Sequence, residues 1–220
     1  MHLAELSRRS GVSVPSIKFY LREGLVPPGT PVSARRAEYG EEHVRRLRLV
    51  RAMLTIGKMS VAQARDVLAV ADDPAFTRHE RLGTAQYMLP PHAEAPAQDS
   101  EERAVWDEIR SLILDELRRL GWHFQDTAPA LDMLTQSVAT LVGLGYDAPV
   151  EDFRRYAAAI RPMAEAEYAT IAQFELIEEA LEATVAYTVL VEPILLALRR
   201  LAHEDVSSRL RYGYGDEPAL

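Results

Sequence analysis

Apolar residues recur along most of this chain at the three-and-four spacing of an amphipathic helix, and strand-like alternation is nearly absent. Leu3, Leu6 and Val12 flank a short first helix, and Ser10-Gly11-Val12-Ser13 reads as a turn. Ser13 is a good N-cap, with Pro15 in the next turn, where its missing N–H costs nothing. A second helix is expected from Val14 to Glu23, stopped by Gly24. Ile17, Leu21 and Phe19 are read as turned inward, which leaves Ser16, Lys18, Tyr20 and Arg22 to face outward. Leu25-Val26-Pro27-Pro28-Gly29 cannot continue a helix, so the stretch to Tyr39 reads as a short ribbon or loop.

Glu41 to Ile56 is the clearest helix of the N-terminal half, with Val44, Leu47, Val50 and Leu54 on one stripe and Gly57 at its end. Ser60 caps a further helix through Ala71. A weak helix follows from Ala75 to Leu89, and Pro90-Pro91-His92-Ala93-Glu94-Ala95-Pro96-Ala97 reads as a linker. Beyond it, Trp106, Ile109, Ile113, Leu117 and Leu120 mark a helix from Glu101 to Leu120, ended by Gly121. Helices are expected at Asp132–Leu144 and Val150–Ile160, the latter ended by Arg161-Pro162. Ala164 to Leu201 reads as one very long or two consecutive helices, with Pro193 as the kink. The fold class expected is therefore mainly α: a winged helix-turn-helix over 1–73, a connecting helix and Pro/Ala-rich linker over 74–100, and an all-helical domain over 101–220.

The 220 residues are 48% apolar and 26% charged, a soluble globular composition. With no cysteine, disulfides, thiolate metal sites and cysteine nucleophiles are excluded. A formal net charge of -8 taken alone argues against a polyanionic partner. Its distribution reverses that reading. Residues 1–72 hold 12 Lys or Arg against 7 Asp or Glu, whereas 73–220 hold 13 against 26, so a basic segment precedes an acidic one. No signal peptide opens the chain, and Leu181–Leu198, interrupted by Glu182, Glu192 and Pro193, reads as a buried core helix and not a membrane span. A cytoplasmic protein without a membrane partner is expected.

Ile17-Lys18-Phe19-Tyr20 with Arg22-Glu23-Gly24-Leu25-Val26-Pro27-Pro28 resembles the MerR family of transcription regulators, whose signature reads Thr-Ile-Arg-Tyr/Phe-Tyr-Glu, then Gly-Leu followed by prolines. The likeness continues through Tyr39, the helix with Val44, Leu47 and Leu54, and the Gly57 turn before Ser60, about a third of the chain. Two departures stand out. Arg35-Arg36-Ala37-Glu38-Tyr39 replaces the family's Gly-Tyr-Arg-x-Tyr, and Lys18 stands where arginine is usual, offering a point charge in place of a bidentate fork.

The resemblance implies that Ser13, Ser16, Lys18 and Tyr20 line the major-groove face of a recognition helix, while Arg22, Arg35, Arg36 and Tyr39 grip the backbone beside it. It further implies a homodimer on double-stranded, pseudo-palindromic promoter DNA, which it distorts so that RNA polymerase engages both promoter elements. In that family the helix after the winged domain pairs with its twofold mate; here either Pro74–Leu89 or Glu101–Leu120 is a candidate for that contact.

No cofactor or metal site is expected, since the six histidines show no paired ligand spacing. Gly57-Lys58-Met59-Ser60 lacks the first glycine of a phosphate-binding loop, no Gly-x-Ser-x-Gly elbow occurs, and no catalytic constellation is found, so no enzyme is expected. Glu182, Glu192 and Tyr187, carboxylates and an aromatic among apolar helix positions, are the candidate residues for a small-molecule effector. The competing reading is an architectural or protein-interaction DNA-binding protein whose helical domain is only a scaffold.

Overall fold

Nine helices and one two-stranded ribbon make up the described residues, 1–33, 36–147 and 150–212, of this computed structural model. They group into two compact units, the described residues of 1–68 with 181–212, and those of 69–180.

In the first unit, α1 (Leu3–Ser10) ends at Gly11, whose φ of 67° carries the chain into the turn. The Ser7 hydroxyl donates to Val12 O at 2.6 Å across that turn. Ser13 then caps α2 (Val14–Arg22) by accepting from Ser16 N–H at 3.2 Å, with Pro15 in the first turn. The chain folds back as β1 (Thr30–Ser33) and β2 (Arg36–Glu38), an antiparallel pair with Thr30 opposite Glu38. Helix α3 (Glu41–Arg51) loosens into a π turn over Ala52–Ile56 before Gly57. Helix α4 (Val61–Asp72) starts where Ser60 and Gln63 exchange hydrogen bonds, Ser60 N to Gln63 Oε1 and Gln63 N to Ser60 Oγ. Helix α1 packs on α2 and α3, and Leu6, Ile17, Leu25, Leu47, Leu49 and Val50 are sealed from solvent. Each such side chain contributes about 1.5–3 kcal/mol relative to leaving it exposed.

In the second unit, α5 (Arg78–Met88) opens with a reciprocal cap between Thr77 and Glu80. Its Tyr87 packs on the cluster that joins Ile109, Ile113 and Leu117 of α6 (Glu101–Arg119) to Ala128 and Leu131 at the start of α7 (Pro129–Gly143). The segment read as a connecting helix thus belongs to the helical core. Pro129, at the first turn of α7, begins that helix three residues earlier than its apolar spacing suggests.

Three expectations are corrected. Pro162 does not end α8 (Val150–Ile171) but lies within it, because Ala157–Ala159 before it and Ala164-Glu165-Ala166-Glu167 after it are strong helix formers that outweigh a cost of about 3 kcal/mol. The break in the C-terminal helices falls at 172–176, without glycine or proline, where the Arg78 guanidinium donates to the carbonyls of Ile171, Phe174 and Glu175 at 3.4, 2.6 and 3.4 Å. Pro193 accordingly lies inside α9 (Ile177–Tyr212). The stretch Leu181–Leu198 is a core helix only in its first turns: Leu181 and Val185 are fully buried, whereas Leu190, Ile194, Leu196 and Leu198 are exposed.

Glu116 ties α6 to α8. Its side chain is 5% exposed, and it accepts from Arg154 Nε at 2.5 Å and Arg119 Nη1 at 3.0 Å. The hydrogen bond from Arg154 holds its carboxyl below the ordinary glutamate range. Because the folded-state value is depressed, the stabilisation is complete above the ordinary glutamate pKa near 4.5 and is lost as pH falls through the lower folded value. Glu116→Gln is expected to lower the melting temperature by a few degrees at neutral pH and to flatten the acid limb of stability; an unchanged melting temperature at pH 7 would remove this tie from the account.

Candidate nucleic-acid interface

The turning of α2 about its axis decides which of its side chains a partner can meet. Ile17 is fully buried, and at about 100° per residue Lys18 and Arg22 are turned about 100° and 140° from it, where both are exposed. Phe19 lies about 200° from Ile17 and is therefore not an inward residue, which corrects the expectation from spacing. It is half-buried on the outer side, with the Arg22 guanidinium 5.2 Å over its ring and Tyr20 edge-on at 5.8 Å. Ser16 and Tyr20 sit at the other border of the helix, half-buried. The Ser16 hydroxyl is 2.8 Å from that of Ser13, so both serines are engaged in starting the helix. Helical counting from Ile17 was the signal that could have placed Phe19 on the open face.

The exit from α2 is held by arginines acting inside the protein. Arg46 Nε donates to Leu25 O at 3.1 Å, and Arg65 Nη2 donates to Glu23 O at 3.2 Å. Arg9 forms a forked pair with Glu41, and Arg8 pairs with Glu5, whose carboxyl is lowered chiefly by that hydrogen bond. Among the described residues, Lys18 and Arg36 make no ion pair, and Arg48 and Arg51 are exposed on α3. The basic surplus of the segment therefore resolves into structural arginines and a smaller set that faces solvent.

The ribbon is anchored at its base. Tyr39 N donates to Met1 O at 2.9 Å, and the Met1 amino group donates to Tyr39 O at 2.7 Å, a pairing that nothing in the sequence announces. The Tyr39 ring stands edge-on to His43 at 5.2 Å and is half-buried. Arg36 is exposed at the start of β2, beside an open cleft of about 790 Å³ lined by His2, Pro31, Ser33 and Tyr39 among others. Arg35 lies outside the described residues. The structure thus gathers Lys18, Phe19 and Arg22 on one face of α2 and places Arg36 and Tyr39 on the ribbon, while Ser13 and Ser16 serve as a cap.

The candidate effector residues are not gathered. Glu182, Tyr187 and Glu192 follow one another every five residues on α9, so successive members are turned by about 140° and point to three sides of the helix. Partial burial pushes the Glu192 carboxyl above its ordinary range. In the second unit, a separate open cleft of about 510 Å³ is lined by Trp122, Phe124, Arg161, Glu165 and Tyr168, with the Arg161 guanidinium 5.8 Å from the Trp122 ring and bonded to Gly121 O. A cavity lined by the aromatics of the C-terminal helices is an expectation of the sequence, but the gathering of Trp122 and Phe124 from the loop after α6 with Tyr168 of α8 is visible only in the fold. Among the described residues, no three His, Asp or Glu side chains gather at metal-binding distance.

Residues 1–70 match the family model described as MerR HTH family regulatory protein. Heavy metal-dependent transcription regulator 2 of Rhizobium meliloti (strain 1021) is 36% identical over 73 residues, 33% of this chain and 49% of that protein. The HTH-type transcriptional regulator HmrR of Sinorhizobium medicae (strain WSM419) is 34% identical over the same shares. The chain spans about half the length of these curated relatives. The solved structure of SCO5550 from Streptomyces coelicolor A3(2), a proposed transcriptional regulator, is 37% identical with a TM-score of 0.67, and the match covers 99% of this chain and 100% of that one.

A Cβ added to Gly29 would stand 2.6 Å from Glu38 O and 2.8 Å from the Tyr39 ring. Gly29→Ala is therefore expected to displace the ribbon base and cost about 1–3 kcal/mol in chemical denaturation. An unshifted midpoint would mean that this base has room to give.

Proposed function

We propose, from the premise that residues 1–70 of this chain belong to the MerR HTH family, that the protein is a sequence-specific, DNA-binding transcriptional regulator working in the cytoplasm as a homodimer. The observation that carries this reading is the face of α2, where Lys18 and Arg22 stand exposed with the Arg22 guanidinium over the Phe19 ring, together with a ribbon bearing an exposed Arg36. Lys18 suits a phosphate or the O6 and N7 acceptors of guanine, and an apolar ring suits the thymine methyl group. Arg22 and Arg36 fix the register through phosphates, with Tyr39 beside them.

On this reading two copies occupy the halves of a dyad-symmetric promoter site and bend and untwist the DNA between its elements so that RNA polymerase engages both. Such deformation costs several kcal/mol, offset by the contacts the bend permits. A small-molecule effector would be taken by the aromatic cleft around Trp122 and Tyr168, which offers flat apolar walls with one guanidinium and one carboxylate at the rim. The heavy-metal dependence in the relatives' names does not carry over through thiolates, since this chain has no cysteine to present to a soft metal.

Footprinting with the purified full chain on the DNA upstream of its own gene is expected to give a short, dyad-symmetric protected site at physiological salt; uniform, sequence-independent retardation would replace the regulator by an architectural DNA-binding protein. Lys18→Ala with Phe19→Ala should weaken that site by about 1–3 kcal/mol per lost base contact while leaving helicity intact, and unchanged affinity would remove α2 from the groove. Arg36→Ala should weaken binding alike on all sequences and reduce the salt slope by about 1. An unaltered slope would take the ribbon off the DNA backbone.

A further inference from the structure

Helix α9 carries an apolar stripe that nothing among the described residues covers. Leu190, Ile194, Leu198 and Leu201 are 49, 54, 57 and 60% exposed, although leucine and isoleucine are ordinarily among the most buried residues. With Val191 they follow the alternating three-and-four spacing of a pairing seam, 191, 194, 198 and 201, flanked by the small side chains Ala197 and Ala202. The stripe stops at Asp205, which lies in the same register and is paired with Arg209 at 2.9 Å.

We propose that this stripe of α9 is where a second copy of the chain docks, helix against helix, so that α9 and not the helix after the winged domain holds the dimer together. The inference rests on the homodimer in the proposed function and names the surface that makes it.

Three observations select this occupant. First, the two helices on which sequence reasoning placed the dimer contact bury their main apolar stripes within their own unit, and on α6 only Val105 and Leu112, a heptad apart, stay exposed among large apolar side chains. Helix α5 buries Leu82 and Ala85, and the Ile109, Ile113 and Leu117 stripe of α6 is packed against Ala128 and Leu131. Second, each large side chain of the α9 stripe offers on the order of 100 Å² of apolar surface. With its flanks, the patch reaches the several hundred Å² that monomers rarely leave open, and twofold pairing doubles it to about 1,000 Å², the lower limit for a specific interface. Third, the stripe does not suit lipid. α9 is long and apolar enough to cross a membrane, but Arg199, Arg200 and His203 interrupt the rest of its circumference, where Leu196 is also exposed, and a lipid-spanning helix must be apolar all round. A seam of unbroken three-and-four spacing beside a mixed, charge-bearing side fits a partner helix of its own kind.

The full chain is expected to sediment at twice its 24.6 kDa mass. Leu198→Glu with Leu201→Glu should leave helicity unchanged and weaken self-association at least 100-fold. A monomeric wild-type chain, or a variant that stays dimeric, overturns the proposal. Tyr156→Glu with Met163→Glu, on the smaller exposed patch of α8, should remain dimeric; a monomer there would move the interface to α8 and overturn it as well. Because the chain has no cysteine, single substitutions report the contact even if the glutamates disturb folding. On mild oxidation at least one of Ile194→Cys, Leu198→Cys and Leu201→Cys should become a covalent dimer, while Arg200→Cys and His203→Cys should not. Equal cross-linking on both sides of the helix, or wild-type protein that pellets with phosphatidylglycerol vesicles without dimerising, overturns it. The two readings fail separately: an α9 dimer with no specific DNA site sinks only the regulator, and a specific site bound by a protein whose α9 variants still dimerise sinks only this surface.

Discussion

The burial of Ile17 is the constraint from which the candidate interface follows. A nine-residue helix with one fully buried side chain has a single rotational setting, and that setting points Lys18 and Arg22 away from the core. Removing the isoleucine side chain would release about 2–5 kcal/mol of packing and with it the reason for α2 to face one way. The remaining degrees of freedom are closed by polar contacts at the ends. Ser13 fixes the start, Arg46 and Arg65 hold the backbone at the exit, and the exchange of hydrogen bonds between Met1 and Tyr39 sets the base of the ribbon. Only then do the exposed cations of helix and ribbon keep a constant spacing.

Charge has two uses in this segment, and counting residues does not separate them. Arg9, Arg46 and Arg65 spend their donors on a carboxylate or on backbone carbonyls of the chain itself, where a forked geometry is an advantage over lysine. Lys18 and Arg36 keep theirs. A surplus confined to residues 1–72 acts on a polyanion over a Debye length of about 8 Å at physiological salt, so local charge counts for more than the total. A net charge of -8 is thus compatible with a basic contact surface.

The elements of the first 72 residues were legible because each has a local punctuation mark: Ser13 with Pro15, Gly24, Gly57 and Ser60. The facing of Phe19 was not, since hydrophobicity suggests burial while helical geometry, counted from Ile17, forbids it. In the C-terminal part the same punctuation misled. Pro162 lies inside a helix, and the break at 172–176 coincides with contacts from a distant side chain, Arg78, whose donors meet the free helical carbonyls. A contact 93 or more residues away leaves no local trace. The aromatic cleft and the open stripe of α9 were hidden for the same reason: apolar spacing says that a helix has an apolar side, and only packing says whether that side is covered.

The two surfaces answer to different forces. Contacts from Lys18 and Arg36 to phosphates draw their free energy largely from counterion release and fade steeply as salt rises. Pairing through Leu190, Ile194, Leu198 and Leu201 removes apolar surface from water, which added salt does not weaken. Bringing two acidic halves together costs repulsion that salt itself screens, so higher ionic strength favours the pair while it disfavours the DNA. On the proposed reading the protein leaves DNA still paired, so both copies of α2 stay linked for the next encounter.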